Sequence, residues 1–224
     1  MSTITETAIE ADPKLPIIRI TREFAATPGQ LFRAHTDPAL FARWVGPDAA
    51  STRIEHWDAP SPVAGWAARD VVRHLAEWFP PFLSAGAGIQ LPGGPSVDED
   101  PVSAWRAHCD AVQALLDDPA TPDRVLANPH VGELPLDRAV DQFYTADVFM
   151  HTWDLAKATG QDDRLDVGFC GQMLAGMEQF EEAMRSSGQY GARVEVPEDA
   201  GAQARLLGFI GRDPSWSPPR GVIT

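Results

Sequence analysis

The feature that most constrains the fold is a helical run from about Asp137 to Thr159 that carries a carboxylate and an imidazole among apolar residues. Asp147 and His151 are four residues apart, which places their side chains one turn apart on the same face of a helix. The same face carries Val140, Tyr144 and Leu155, the pattern of a helix that packs into a core. A buried carboxylate is costly unless a partner pairs with it. The pattern therefore predicts either a metal site or a plain Asp–His contact, half exposed or satisfied by a nearby arginine.

The composition indicates a folded, acidic protein. With 224 residues, 44% of them hydrophobic, the chain can bury a core of its own. A net charge of −14 and the lack of a basic patch argue against binding to nucleic acid. No apolar run reaches the ~20 residues that span a bilayer, and no signal peptide is recognisable, so we expect a cytoplasmic protein without a membrane partner. Cys109 and Cys170 lack metal-binding spacing and are expected to be buried free thiols.

The first quarter of the chain predicts a small α+β segment. Residues 17–24 are rich in β-branched side chains and predict a strand. Residues 27–35 begin with a capping-box pattern and proline at the first helical position, which predicts a short helix. A second short helix and a second strand are expected over residues 38–44 and 51–57.

The rest of the chain predicts a helical bundle. Helices are expected over residues 68–79, 101–116, 137–159, 167–186 and 201–210. Pro80 and Pro81 should kink or end the first of these helices, and residues 118–136 should form a connection with one helical turn. The predicted division of the chain is a flexible tail (1–16), the α+β segment (17–57), a helical bundle (58–218) and a short tail (219–224).

His74 supplies a third candidate ligand. It lies between Val71 and Trp78 on the core-type face of its helix, where a lone histidine is more often a satisfied core residue. Helix bundles, however, build metal sites from inward side chains on facing helices. Two imidazoles and one carboxylate suit Zn²⁺, and also Ni²⁺ or Fe²⁺, and three protein ligands leave a coordination position open, as in catalytic sites.

Part of the N-terminal segment resembles a START-type, helix-grip domain. The residues that carry this resemblance are Ile20–Phe24, Leu31–Ala34, Thr36–Pro38, Leu40, Arg43–Trp44, Gly46–Pro47 and Thr52–Ile54. The resemblance stops before the long curved sheet and the C-terminal helix that close the cavity of that fold. A ligand cavity of that type is therefore not expected.

Residues 57–218 resemble the DinB-like, four-helix metal-binding domain of mycothiol-dependent maleylpyruvate isomerases. The motifs that carry this resemblance are Trp57–Pro62, Gly65–Trp66, Ala68–Val72, His74–Leu75, Trp78, Asp100–Val102, Ala104–Trp105, Asp147–Ala156, Ala158–Gln161, Ser187–Gly188 and Leu206–Asp213. The resemblance implies a mainly α, up-down helix bundle preceded by the small α+β appendage. It also implies a metal held by a histidine on one helix and an Asp-x-x-x-His motif on a later one, which are His74, Asp147 and His151 here.

The chain departs from that family at the start of the bundle and at its C-terminus. The START-like segment stands where the family has its first long helix, so another element must cover the exposed apolar face. The candidates are residues 28–45, the helix over 167–186 or a second subunit, and the last of these favours a homodimer. The isomerases carry an extra C-terminal domain, so their specific reaction is not inherited.

The resemblance implies metal-assisted transfer or addition of a low-molecular-weight thiol, mycothiol in that family, to a small electrophile, or a related isomerisation. A metal ion stabilises the thiolate form of a thiol that binds at its open coordination position. Hydrolysis by a metal-bound water is a second possible reaction. The alternative is a non-catalytic metal-binding sensor or a dimerisation module.

Helper residues are predicted only in outline, and the pattern identifies no general base. Asp154 is a candidate for orienting a ligand imidazole, or it pairs with Arg69, Arg73 or Lys157. Tyr144 is a candidate proton donor, or it packs in the core. The tryptophans expected to pack the bundle are Trp66, Trp78 and Trp153.

Overall fold

The computed structural model describes residues 8–11, 18–21, 29–30, 32–33, 56–129 and 132–219. These residues are mainly helical, as predicted. They form two compact units, one from the described residues between 27 and 163 and the other from residues 8–11, 18–21 and 164–217. None of the described helices combines the length and the apolar character needed to cross a lipid bilayer.

Helix α1 (Ala68–Ala87) is longer than the sequence predicts, because it runs through Pro80 and Pro81. Its first turn is capped by the Asp70 carboxylate, which accepts a hydrogen bond from the backbone N–H of Ala67 at 2.8 Å. Prolines inside a helix remove backbone donors and disfavour its continuation. Here Phe79 and Leu83, on either side of the proline pair, are both fully buried. Packing into one core thus holds a helix that local preference would end.

Helix α2 (Pro101–Asp117) begins as predicted. The side chain of Asp100 caps it by accepting a hydrogen bond from the backbone N–H of Ser103 at 3.0 Å. The connection that follows contains the predicted helical turn, a 3₁₀ turn over Thr121–Asp123. It also contains a hairpin that the sequence analysis missed.

The hairpin pairs strand β3 (Val125–Asn128) with strand β4 (Gly132–Pro135) in antiparallel register. Leu126 lies opposite Leu134, and both side chains are buried in the core. Strands of four residues carry too few alternating positions to stand out from a proline-containing connection.

The predicted long helix is present as one helical path with a wider turn inside it. Helix α3 (Leu136–Ala139) leads into a π-helical turn (Val140–Thr145), which continues as helix α4 (Ala146–Thr159). Gly160 ends α4 in the left-handed conformation, with φ +71°. Glycine adopts this conformation without the steric cost of a Cβ, so the predicted stop is confirmed.

The core of this unit lies between α1, α2, the hairpin and the helical path. Its largest fully buried side chains are Tyr144, Phe32 and Phe79. The ring of Tyr144 stacks on that of Phe79 with centroids 4.1 Å apart. Cys109 is buried here as a free thiol, and Cys170 is buried as a free thiol in the other unit, as predicted.

A short helical segment (residues 29–30 and 32–33) packs onto this core. Phe32 is fully buried, and its ring lies 5.9 Å from that of Tyr144. A Cβ on Gly29 would lie 2.9 Å from a carboxylate oxygen of Asp117, so a larger residue there would displace that side chain of α2. Arg33 pairs with Asp117 at 2.9 Å. One of the three elements proposed to cover the bundle, residues 28–45, therefore does so in its described part.

The second unit contains strands β1 (Ala8–Ala11) and β2 (Ile18–Thr21), which pair antiparallel, and β2 contacts helix α5 (Val167–Glu178). Helix α6 (Glu181–Ser186) follows, and α7 (Ala202–Phe209) packs against α5.

Several predictions for this unit need correction. Residues 8–11 were predicted to be flexible tail but form a strand, and the helix predicted over 167–186 is divided into α5 and α6. The structure also groups residues 164–217 apart from the preceding bundle residues. The predicted helix over 38–44 and most of the strand over 51–57 lie outside the described residues.

We expect Phe32→Ala to lower the free energy of unfolding by about 3–5 kcal/mol, because it leaves a cavity beside Tyr144. Urea denaturation followed by intrinsic fluorescence measures this loss. Arg33→Ala is the matched control on the same segment. It removes only an exposed ion pair and should cost less than about 1 kcal/mol. Equal small effects of both changes would show that the segment does not stabilise the core.

His108 of α2 is a buried histidine that carries a stability cost. Its ring lies among those of Trp105, Phe79 and Tyr144, and its Nε2 has no hydrogen-bond partner among the described residues. Burial lowers the pKa of His108 from 6.5 to about 4. The unfolded chain therefore takes up a proton below about pH 6.5, and the folded chain takes it up only near pH 4. Folding stability is complete above that window and falls as the pH drops through it.

We expect His108→Leu to remove this acid sensitivity. The difference in unfolding free energy between the variant and the parent should grow by about 3 kcal/mol from pH 7 to pH 4. Urea denaturation at several pH values measures it, with His56→Leu at an exposed histidine as the control. A difference that stays constant with pH would contradict the assignment.

Candidate metal centre

Three side chains from two helices meet at one place. His74 comes from α1, and Asp147 and His151 come from successive turns of α4. The Nε2 of His74 lies 3.1 Å from Oδ2 of Asp147, and the Nε2 of His151 lies 3.6 Å from Oδ1 of the same carboxylate. The candidate ligand atoms of all three residues lie within 4.8 Å of one another. The three residues predicted as metal ligands are thus brought together.

The separations are near those of a single divalent site. Zinc bonds of about 2.0–2.1 Å in a tetrahedral site place the ligand atoms about 3.4 Å apart. The distances from His74 and His151 to the two Asp147 oxygens are 3.1 and 3.6 Å, and the group as a whole lies within 4.8 Å. Two imidazole nitrogens and a carboxylate oxygen are a donor set that divalent zinc, nickel and iron accept. The group could therefore hold a metal ion, and its donor types do not identify which one.

Exposure rises across the site from one ligand to the next. The side chain of His151 is 8% exposed, that of Asp147 is 19% exposed and that of His74 is 31% exposed. His151 and Asp147 therefore form the inner part of the site, and His74 lies at its outer edge.

Among the residues that the structure describes, the partners of Asp147 are two histidines and a tryptophan, and no arginine pairs with it. Its Oδ2 accepts a hydrogen bond from the indole Nε1–H of Trp78 at 2.9 Å, in addition to its contacts with the two imidazoles. Arg73 pairs with Asp70 and Asp98, and Arg69 pairs with Asp58 at 3.6 Å. A carboxylate whose partners are two imidazoles and an indole is better suited to bind a metal ion than a carboxylate that an arginine already neutralises.

Trp66 and Trp78 are part of this site, which the sequence analysis did not predict. The ring of Trp66 stacks on that of His151 at 5.7 Å and lies 5.1 Å from that of His74. Trp78 stands four residues after His74, the same spacing as Asp147 and His151. That spacing places Trp78 on the ligand face of α1 and was the available signal for its role. Trp153, by contrast, is a buried packing residue, as expected.

Asp154 contacts a ligand histidine. Its Oδ2 lies 2.9 Å from Nδ1 of His151, and its side chain is 1% exposed. The approach is short but too far out of line to form a hydrogen bond with Nδ1. Lys157, one of the alternative partners, pairs with Asp163 at 3.2 Å. The geometry thus favours the orienting role for Asp154 over the surface ion pair.

Tyr144 is a core residue. Its hydroxyl donates a hydrogen bond to the backbone carbonyl of Leu75 at 3.1 Å, and its ring stacks on Phe79. Complete burial raises the pKa of Tyr144 well above its usual value of 10. Both observations favour the packing alternative.

We expect Trp78→Phe to weaken metal binding while it preserves the aromatic packing. The change removes the indole donor that orients Asp147, and losses of such partners typically cost about 10–100-fold in affinity. Competition with a chelating dye measures the Zn²⁺ dissociation constant. Trp216→Phe, in the other compact unit, should leave it unchanged. An unaltered constant in Trp78→Phe would show that this hydrogen bond does not support the ligand.

Comparison with known proteins gives no match: no protein-family model, no curated protein and no solved structure is significantly similar to this chain. The candidate metal centre is therefore supported by its own geometry.

Proposed function

We propose that this protein binds one divalent metal ion through His74, Asp147 and His151, and that it transfers or adds a low-molecular-weight thiol to a small electrophile, or catalyses a related isomerisation. One observation carries the proposal. Two imidazoles and a carboxylate from α1 and α4 converge, and His74 is the most exposed of the three. Three protein ligands are typical of catalytic rather than structural zinc sites, which keep a coordination position for a small ligand.

The order of the ligands along the chain supports a DinB-like bundle. A histidine on the first long helix and an Asp-x-x-x-His motif on a later one form the site, as the resemblance implies. Helix α1 packs against both α2 and α4, so the ligands lie on facing helices. The short segment around Phe32 packs on the core of the bundle, and we propose that it stands in for part of that family's first helix.

The chemistry follows from the charge that such a site would hold. A bound divalent ion would stabilise a thiolate at neutral pH, where a free thiol with a pKa near 8.5 is mostly protonated. His74, Asp147 and His151 would hold the ion, and Trp78 would orient Asp147. Trp66 shields both imidazoles from water on one side. The thiol proton passes to solvent, and the sulfur bonds to the electrophilic carbon. A halide leaves that carbon with its bonding electrons, whereas in addition to an alkene the electron pair of the double bond takes up a proton from solvent at the neighbouring carbon. In an isomerisation, rotation about the new single bond is followed by loss of that proton to solvent and departure of the thiolate, which restores the double bond.

Metal content tests the first half of the proposal. Elemental analysis of the protein purified without a histidine tag should find about one divalent ion per chain, by the single-site geometry. His74→Ala and Asp147→Ala should lose it, because two ligands hold a divalent ion poorly. His56→Ala, at an exposed histidine, should keep it. A parent protein that binds no divalent ion, even after incubation with Zn²⁺, would refute the proposal.

Thiol turnover tests the second half. The metal-loaded protein, mixed with mycothiol and monochlorobimane, should form the fluorescent thioether faster than the uncatalysed mixture. The His74→Ala variant should fall to the uncatalysed rate, and His56→Ala should match the parent. Stoichiometric metal without turnover of any thiol and electrophile would favour the alternative, a metal-binding sensor or dimerisation module.

A further inference from the structure

We propose that Asp154 is a positioning residue of this metal centre: its carboxylate selects the His151 tautomer that presents the Nε2 lone pair to the cation. The inference rests on the proposed function, since it assigns a role within the same site. It comes from the contact between Oδ2 of Asp154 and Nδ1 of His151 at 2.9 Å.

The imidazole of His151 lies between two carboxylates. Asp147 faces its Nε2 at 3.6 Å, and Asp154 faces its Nδ1 at 2.9 Å. A neutral imidazole has one N–H and one lone pair, so its two nitrogens cannot both donate. With the hydrogen on Nδ1, the ring donates towards Asp154 and directs its lone pair towards the ligand group. With the hydrogen on Nε2, the Nδ1 lone pair would face the Asp154 carboxylate, and the N–H would occupy the metal position.

Burial makes this choice strong. The side chains of Asp154 and His151 are 1% and 8% exposed, so water competes little for either group. An unsatisfied polar atom in such surroundings costs on the order of 1–3 kcal/mol. Nδ1 has no well-aligned hydrogen bond among the described residues, although Oδ2 of Asp154 is near enough to accept one. A small rotation of the ring completes that bond.

Each of the two ligands on α4 thus has a supporting side chain. Trp78, from α1, donates to Asp147, and Asp154, three residues after His151 on the same helix, faces the other ligand. A carboxylate behind a ligand histidine is a recurrent arrangement in metal sites, where it fixes ring orientation and raises ligand basicity.

The test compares Asp154→Ala and Asp154→Asn with the parent and with Asp163→Ala. Asp163 is a more exposed carboxylate that pairs with Lys157, so its removal controls for the loss of a charge near the end of the same helix. Two properties are measured. The first is the Zn²⁺ dissociation constant from competition with a chelating dye. The second is the tautomer of His151 in the metal-free protein, read from the ¹⁵N chemical shifts of its ring at pH 8.

In the parent and in Asp163→Ala we expect the hydrogen on Nδ1. In Asp154→Ala the tautomers should mix, and Zn²⁺ affinity should fall about 10–100-fold. Asp154→Asn, which keeps a neutral acceptor, should lie between the two. A parent-like tautomer in Asp154→Ala, or an affinity within about threefold of the parent, would overturn the inference.

The two proposals can fail separately. If the parent binds no Zn²⁺, the proposed function fails, and the ¹⁵N shifts still decide whether Asp154 selects the tautomer. If the parent binds Zn²⁺ and Asp154→Ala binds it equally well, only the positioning role is lost.

Discussion

The arrangement of α1 and α4 depends on the contacts that the carboxylate of Asp147 makes. This carboxylate lies mostly inside the protein and is contacted by two imidazoles and an indole, two of them from α1 and one from its own helix. A largely buried carboxylate is costly unless polar groups pair with it. Because two of its partners come from α1, these contacts constrain how α1 lies against α4, together with the apolar packing.

Aromatic rings extend from this carboxylate into the core. Trp66 covers the imidazoles, Trp78 links the site to Phe79 and Tyr144, and His108 completes the cluster from α2. Flat rings in mutual contact pack tightly and move little, so they transmit the position of the core to the ligand group. The same packing explains why Tyr144 and His108 are unsuited to proton transfer: each lies deep among rings, where a charge is unfavourable.

Much of the helical framework was predictable because its signals are local. Asp100 before Pro101, and Gly160 after α4, mark helix ends through hydrogen bonds and dihedral angles of the nearest residues. The three ligands were also accessible, because four-residue spacing and an apolar face require only one helix at a time. The features that were missed depend on distant partners. Pro80 and Pro81 are tolerated because of the surrounding core, β3 is stabilised by β4, and β1 by β2. Trp78 was assigned to packing because its acceptor lies on another helix.

The directions of the two ligands on α4 depend on the π-helical turn over Val140–Thr145. A turn of this kind holds one residue more than an α-helical turn, and each residue of a helix turns the chain by about 100°. It lies directly before Asp147, so its extra residue sets the direction in which both ligands on α4 project. A chain shorter by a single amino acid there could remain helical throughout and yet turn its carboxylate and imidazole away from His74. The ligand group thus depends on the length of the chain as well as on the identity of its side chains.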